Sequence, residues 1–295
     1  MDIKSKDKKQ TARITVTALV TVFLWASAFP AVRYILNYYS AESLMLLRFL
    51  VASFTLLVVA FIKKAKVPEK RDIPMFALGG FIGIFLYMWF FNTGTGMVPS
   101  GVSSFLISSA PVHSTVLSVL ILKEKVRPLC WAGIFISLGG LALIAATQMS
   151  DFTMNIGVVL LTGASIFTSC NFIIQRKLSK KYNALELTAY PVFFGTFLML
   201  IFLPALIRDA QGAPPIVNLI PIYLGIFPAA IAYVSWAHTL SKARNIANAT
   251  MFLYLVPFVA TLLAFLWLGE TISPFAFLGG IIIILGMFIS NKWGR

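Results

Sequence analysis

The chain has 295 residues, 59% of them hydrophobic and 12% charged, with a formal net charge of +14. A soluble domain carries roughly 25% charged residues, so a water-facing fold would leave too much apolar surface uncovered, whereas a bilayer accommodates it. The basic residues lie in short clusters between apolar runs, a membrane pattern that excludes nucleic acid as the reason for the charge.

The N-terminal stretch 1–13 is basic and leads straight into apolar sequence without a small-residue cleavage site, so it reads as a tail before an uncleaved first helix. A crossing needs about 20 mostly apolar residues. In chain order the candidates are 14–35, 43–62, 73–92, 98–122, 128–147, 156–175, 185–207, 218–239, 246–268 and 274–291. The connections are short and leave no room for a soluble domain. Cys130 and Cys170 lie in or beside apolar runs and read as free thiols. If the N-terminus is cytoplasmic, all but three of the 24 basic residues fall in inside loops and tails, the exceptions being Arg33, Arg48 and Arg208. The expected fold is therefore an all-α integral membrane protein of ten transmembrane helices with both termini cytoplasmic.

A shift of 146 residues lays Tyr87 on Tyr233, Pro111 on Pro257, Glu124 on Glu270, Pro128 on Pro274, Gly133 on Gly279 and Gly140 on Gly286. Two five-helix repeats, 14–147 and 156–291, follow from this match. An odd number of helices puts the second copy into the membrane upside down. Inverted repeats are a mark of secondary transporters, whose substrate sits near the midplane between the halves.

Several motifs carry a family resemblance. The first helix holds Trp25-Ala-Ser-Ala-Phe-Pro30, and the second Leu47-Arg48-Phe49 followed by Ala52. Each half ends on Pro…Leu-x-Glu-x-x-x-Pro…Gly, at Pro111 to Gly133 and Pro257 to Gly279. With these, the chain resembles the EamA-type, ten-helix branch of the drug/metabolite transporter superfamily. The resemblance implies a transporter and leaves the substrate open. The second half departs from the pattern: Gly163-Ala164-Ser165-Ile166 lacks the tryptophan, and Pro191-Val192 stands where an arginine is expected.

All ten acidic residues fall in tails, loops or helix ends, so no carboxylate is available for a mid-membrane proton relay. His113, roughly 13 Å from the inner end of its helix, either faces a cavity or hydrogen-bonds a neighbouring helix. Pro111 and Pro257 remove the partner of the Ile107 and Leu253 carbonyls, making hinges, substrate-facing carbonyls or static kinks. Trp25, Tyr87, Tyr233, Trp236 and Tyr254 lie within helices, away from the interfaces. Either they line a cavity for an apolar group or a caged organic cation, or they are packing. Ser108 and Asn171 are candidate polar contacts of the same cavity, with interhelical hydrogen bonds as the equal alternative. Arg33 and Arg48 are expected to snorkel to the outer interface, or, for Arg48, to pair with Glu42; a carboxylate trap is the lesser reading. The glycine clusters at 79–83, 133–140 and 279–286 are expected faces of close helix contact.

The expected function is a secondary transporter in the bacterial plasma membrane exporting amino acids or related compounds by alternating access. A carrier of choline-like organic cations and a lipid-headgroup flippase are the alternatives. No enzyme chemistry, metal or cofactor is expected. The expected partners are a small-molecule substrate and membrane lipid, with no nucleic acid, as a monomer or homodimer. Energy coupling is expected to be absent (facilitated diffusion) or to run weakly through His113.

Overall fold

The computed structural model describes residues 3–146, 156–269 and 274–293, and among them all regular structure is helical. Ten segments follow one another: α1 (Ile3–Ile35), α2 (Ala41–Ile62), α3 (Ile73–Met97), α4 (Ser100–Leu122), α5 (Pro128–Ala146), α6 (Ile156–Leu178), α7 (Ala184–Gly212), α8 (Leu219–Lys242), α9 (Ile246–Leu268) and α10 (Pro274–Trp293). Eight are long and apolar enough to cross a membrane, α1 doing so over Ile14–Ile35. The apolar stretches of α5 and α10, Pro128–Leu143 and Phe277–Gly286, are shorter. Large apolar side chains such as Phe54, Phe61, Phe135, Ile201 and Leu266 lie exposed on the outside, where only lipid makes such a surface cheap.

Local chemistry sets the helix ends. Ser40 caps α2 by accepting from the Ser43 N–H. Asn183 and Glu186 form a reciprocal capping box at the start of α7. The carboxyl of Asp72, just before α3, accepts from Lys181 Nζ (2.9 Å) and Tyr182 Oη (2.8 Å), which hold it below the usual carboxylate range. Lys123 and Gly269, repeat mates just past α4 and α9, both adopt the left-handed conformation that ends a helix.

Mate helices run antiparallel. At one end of the α2–α7 pair, Ser40 donates to Asp209, in the last turn of α7 (N–H 2.9 Å, Oγ 2.8 Å). At the other, the Lys66 N–H donates to Glu186, in the first turn of α7 (2.8 Å). In α5–α10, Ser137 Oγ donates to the Ile283 carbonyl (3.2 Å). A Cβ on Gly140 would lie 2.6 Å from the Gly279 carbonyl, and one on Gly286 2.7 Å from that of Gly133. These glycines make the close faces expected of them, because no side chain holds the backbones apart. α1 packs on α8 through Thr17–Thr239, Thr21–Ala232 and Trp25–Pro228. α6 packs on α3 through Gly157–Met97, Gly163–Phe90 and Asn171–Gly83. One pairing repeats the other, as an approximate two-fold relation between the halves requires. The mate Glu270 lies outside the described residues.

Candidate functional site

The two helices that carry the repeat-mate prolines Pro111 and Pro257 are broken. α4 consists of Ser100–Ile107 and Ala110–Leu122, with Ser108 and Ser109 between them. α9 runs as Ile246–Thr250, a tight 3₁₀ stretch Met251–Leu255, and then Val256–Leu268. Pro111 and Pro257 each stand in the first turn of the second piece, where a missing N–H costs least. The helices restart at proline rather than bending through it. The prolines remove the i+4 donor of the carbonyls four residues back, on Ile107 and Leu253, and the Leu253 carbonyl accepts from the Val256 N–H instead. Ser108 Oγ donates to the Leu253 carbonyl across the interface at 3.4 Å.

α3 and α8 carry a matching irregularity. Each widens into a π-helical stretch, Phe81–Leu86 in α3 and Gly225–Ile231 in α8. Tyr87 directly follows the first and Tyr233 closely follows the second. Such stretches are rare and concentrate at functional sites.

The breaks in α4 and α9 and the tyrosines that follow the two π stretches border one cavity. It encloses about 490 Å³ of space between atoms, the open solvent at its mouth included. Its walls are Trp25, Ala28 and Phe29 of α1, Arg48 of α2, Tyr87 and Phe91 of α3, Ile107 and Ser108 of α4, Thr168 of α6, Tyr233 of α8, and Leu253 and Val256 of α9. Tyr87 and Tyr233 are repeat mates, as are Ile107 and Leu253, so the cavity lies on the two-fold relation itself. Trp25 is fixed by donating Nε1–H to the Pro228 carbonyl in the π stretch (3.1 Å) and by edge contact with Tyr233 (centroids 5.5 Å apart). Tyr87 stacks on Phe91 at 5.8 Å.

Arg48 departs from expectation. It neither snorkels nor pairs with Glu42: it is 2% exposed, and Glu42 accepts instead from Trp89 Nε1 (3.1 Å). Its guanidinium lies 5.8 Å over the Phe49 ring, and its Nε and Nη1 have no hydrogen-bond partner. The space between the broken helices, expected to be uncharged, therefore carries a positive charge. α2 reaches this position because Gly225 at the head of the α8 π stretch has no side chain: a Cβ there would sit 2.6 Å from the Arg48 carbonyl.

Of the residues expected at the site, Trp25, Tyr87, Ser108 and Tyr233 line this cavity. Trp236 stands behind Trp25 (5.5 Å) and against Phe172 (4.8 Å). His113 Nδ1 is 3.0 Å from Ser165 Oγ, which also bonds Ser109 Oγ (2.8 Å), placing it in the α4–α6 contact. Asn171 fills the space over Gly79 and Gly83 of α3. Tyr254 is buried in a separate cluster with Cys130, Ile134 and Ile283. Sequence reasoning did not select Phe29, Phe91 and Thr168. In an apolar chain a single Phe or Thr carries no signal, and only the fold brings these three to one wall.

One end of the bundle is tied shut. Glu124 of the repeated motif accepts from Arg176 Nε (3.2 Å) and from the Ile246 N–H that opens α9 (2.9 Å). Arg176 also donates to the Leu240 carbonyl in the last turn of α8 and to the Arg244 carbonyl just past it (2.8 Å each). Four helix ends thus meet at one ion pair, among the basic residues Lys177 and Lys180.

The model of the EamA-like transporter family matches the chain twice, over residues 13–146 and 155–292. The chain belongs to the EamA-like transporter family. It is thus a multi-pass membrane protein built from two copies of the family unit. A protein of Streptantibioticus cattleyicolor named "probable terminal-alkyne amino-acid exporter" is 38% identical over 275 residues, covering 93% of this chain and 92% of its own length. "Uncharacterized transporter YdfC" of Bacillus subtilis is 35% identical over 281 residues, covering 95% and 91%. One solved crystal structure shares the fold, with a TM-score of 0.77 at 16% identity over 96% of this chain and 98% of its own.

Proposed function

We propose that this family member exports amino acids or related small metabolites across the plasma membrane by alternating access. In this reading all ten helices cross the bilayer, the halves are inserted in opposite senses, and both termini are cytoplasmic, as the basic loops favour. The observation that carries it is the cavity, whose walls include two pairs of repeat mates from antiparallel halves, Tyr87 with Tyr233 and Ile107 with Leu253. Broken helices at a repeat interface are where transporters hold substrate, because freed carbonyls there find partners in the cargo. The relative named as a terminal-alkyne amino-acid exporter supports an amino-acid cargo. Arg48 in the wall opposes the choline-like alternative, since two cations repel across a low-dielectric space. The Glu124–Arg176 tie stands at the cytoplasmic end in this reading.

The test is counterflow in proteoliposomes with the purified chain, across a panel of amino acids and amines. Accumulation of at least one labelled amino acid is expected, abolished by Tyr87→Ala or Trp25→Ala at unchanged expression. Absence of amino-acid flux, with amines carried instead, contradicts the reading.

A further inference from the structure

We propose that Arg48 is the carboxylate anchor of the cavity, and that the substrate class is a free carboxylate bearing a compact apolar body. This deepens the export reading and rests on the same cavity.

A guanidinium at 2% exposure, with Nε and Nη1 unpartnered, is an expensive group to keep in an apolar bundle. Among the described residues no carboxylate forms an ion pair with it, and the six whose side chains are seen are engaged or placed elsewhere. Glu42 takes Trp89. Glu69 and Asp72 take Arg71 and Lys181. Glu124 takes Arg176, Glu186 takes Lys66 and its own cap, and Asp209 takes Ser40. The Phe49 ring offers only its face. The missing counter-charge would therefore arrive with a ligand, and Arg48 lines the cavity that would admit one. Its planar array of donors suits a carboxylate, and in a site that excludes water such a pair outweighs its aqueous counterpart.

The rest of the wall defines the other end of the molecule. Trp25, Phe29, Phe91, Leu253 and Val256 offer apolar surface. The aromatic faces of Trp25, Tyr87 and Phe91 suit an α-ammonium. An α-amino acid fits all three features, with the carboxylate as the indispensable one, because only Arg48 carries a full charge.

Four probes matched in body separate these features: L-leucine, 4-methylpentanoate (no amine), 3-methylbutylamine (no carboxylate) and leucinamide (carboxylate neutralised). Binding is measured by ligand-induced thermal shift and competition on the full chain in nanodiscs, independently of transport. We expect L-leucine and 4-methylpentanoate to bind at least about tenfold more tightly than the two probes without a carboxylate, the ratio of a charge-assisted hydrogen-bonded pair made or lost. Arg48→Gln should erase that preference, and Arg48→Lys should keep part of it. Should Arg48→Gln not fold, the probe ranking on the unaltered chain decides alone. Equal binding of acid and amine, no binding of any carboxylate, or an intact preference in Arg48→Gln overturns the proposal. Carboxylate binding without flux would sink the export reading and leave the anchor standing; amino-acid flux with no carboxylate preference in binding would do the reverse.

Discussion

The two crossings that flank the cavity are built alike and equipped differently. Where α8 meets α2, Gly225 brings a would-be Cβ to 2.6 Å from the Arg48 carbonyl; where α3 meets α7, Gly80 brings one to 2.7 Å from the Pro191 carbonyl. A π stretch begins at or just after each glycine, and a cavity tyrosine follows each stretch. The architecture is duplicated but the charge is not: one copy has arginine, the other proline. Symmetry supplies the cavity, and a single asymmetric residue supplies its sign.

The largest effect should come from filling the shared contact. Gly225→Val and Gly80→Val each push a side chain into backbone that has nowhere to go. Each is expected to cost about 3 kcal/mol or more, read as a lowered unfolding temperature of the purified protein. The comparison sharpens if the milder Gly225→Ala also weakens carboxylate binding while Gly80→Ala does not. Equal binding defects in both would mean that Arg48 is not what distinguishes the copies.

A smaller effect of opposite sign is expected at Arg48. Arg48→Met keeps much of the stem and removes the uncompensated charge, so it should stabilise the ligand-free protein by about 1 kcal/mol while abolishing carboxylate binding. A destabilised Met variant would show that Arg48 serves packing rather than cargo.

The fold was largely legible because membrane helices declare themselves by length and apolarity. The α4 and α9 bounds of 98–122 and 246–268 fall close to Ser100–Leu122 and Ile246–Leu268. α7 reaches Gly212 rather than 207 because its last turn, with Arg208 and Asp209, is polar, which hydropathy reads as loop. The π stretches were invisible: they change the hydrogen-bond register, not the composition. Two of the twelve cavity residues were readable through symmetry, since Tyr87 and Tyr233 are mates. Arg48 was misplaced because depth was judged by distance from the end of an apolar run. α2 begins at Ala41, so Arg48 stands seven residues in, roughly 10 Å, and packing by α8 decides the rest. Its signal was present as an arginine in one repeat facing Pro191 in the other.

The most direct measurement of the central claim is substrate protection inside the cavity. With Cys130 and Cys170 replaced by alanine, Ile107→Cys puts a single thiol in the wall. Labelling by a small membrane-permeant maleimide is then followed in proteoliposomes with and without L-leucine and 3-methylbutylamine. Leucine is predicted to slow labelling at Ile107→Cys, and the amine to have little effect. Labelling unchanged by any carboxylate that the protein demonstrably transports would show that the cargo passes elsewhere.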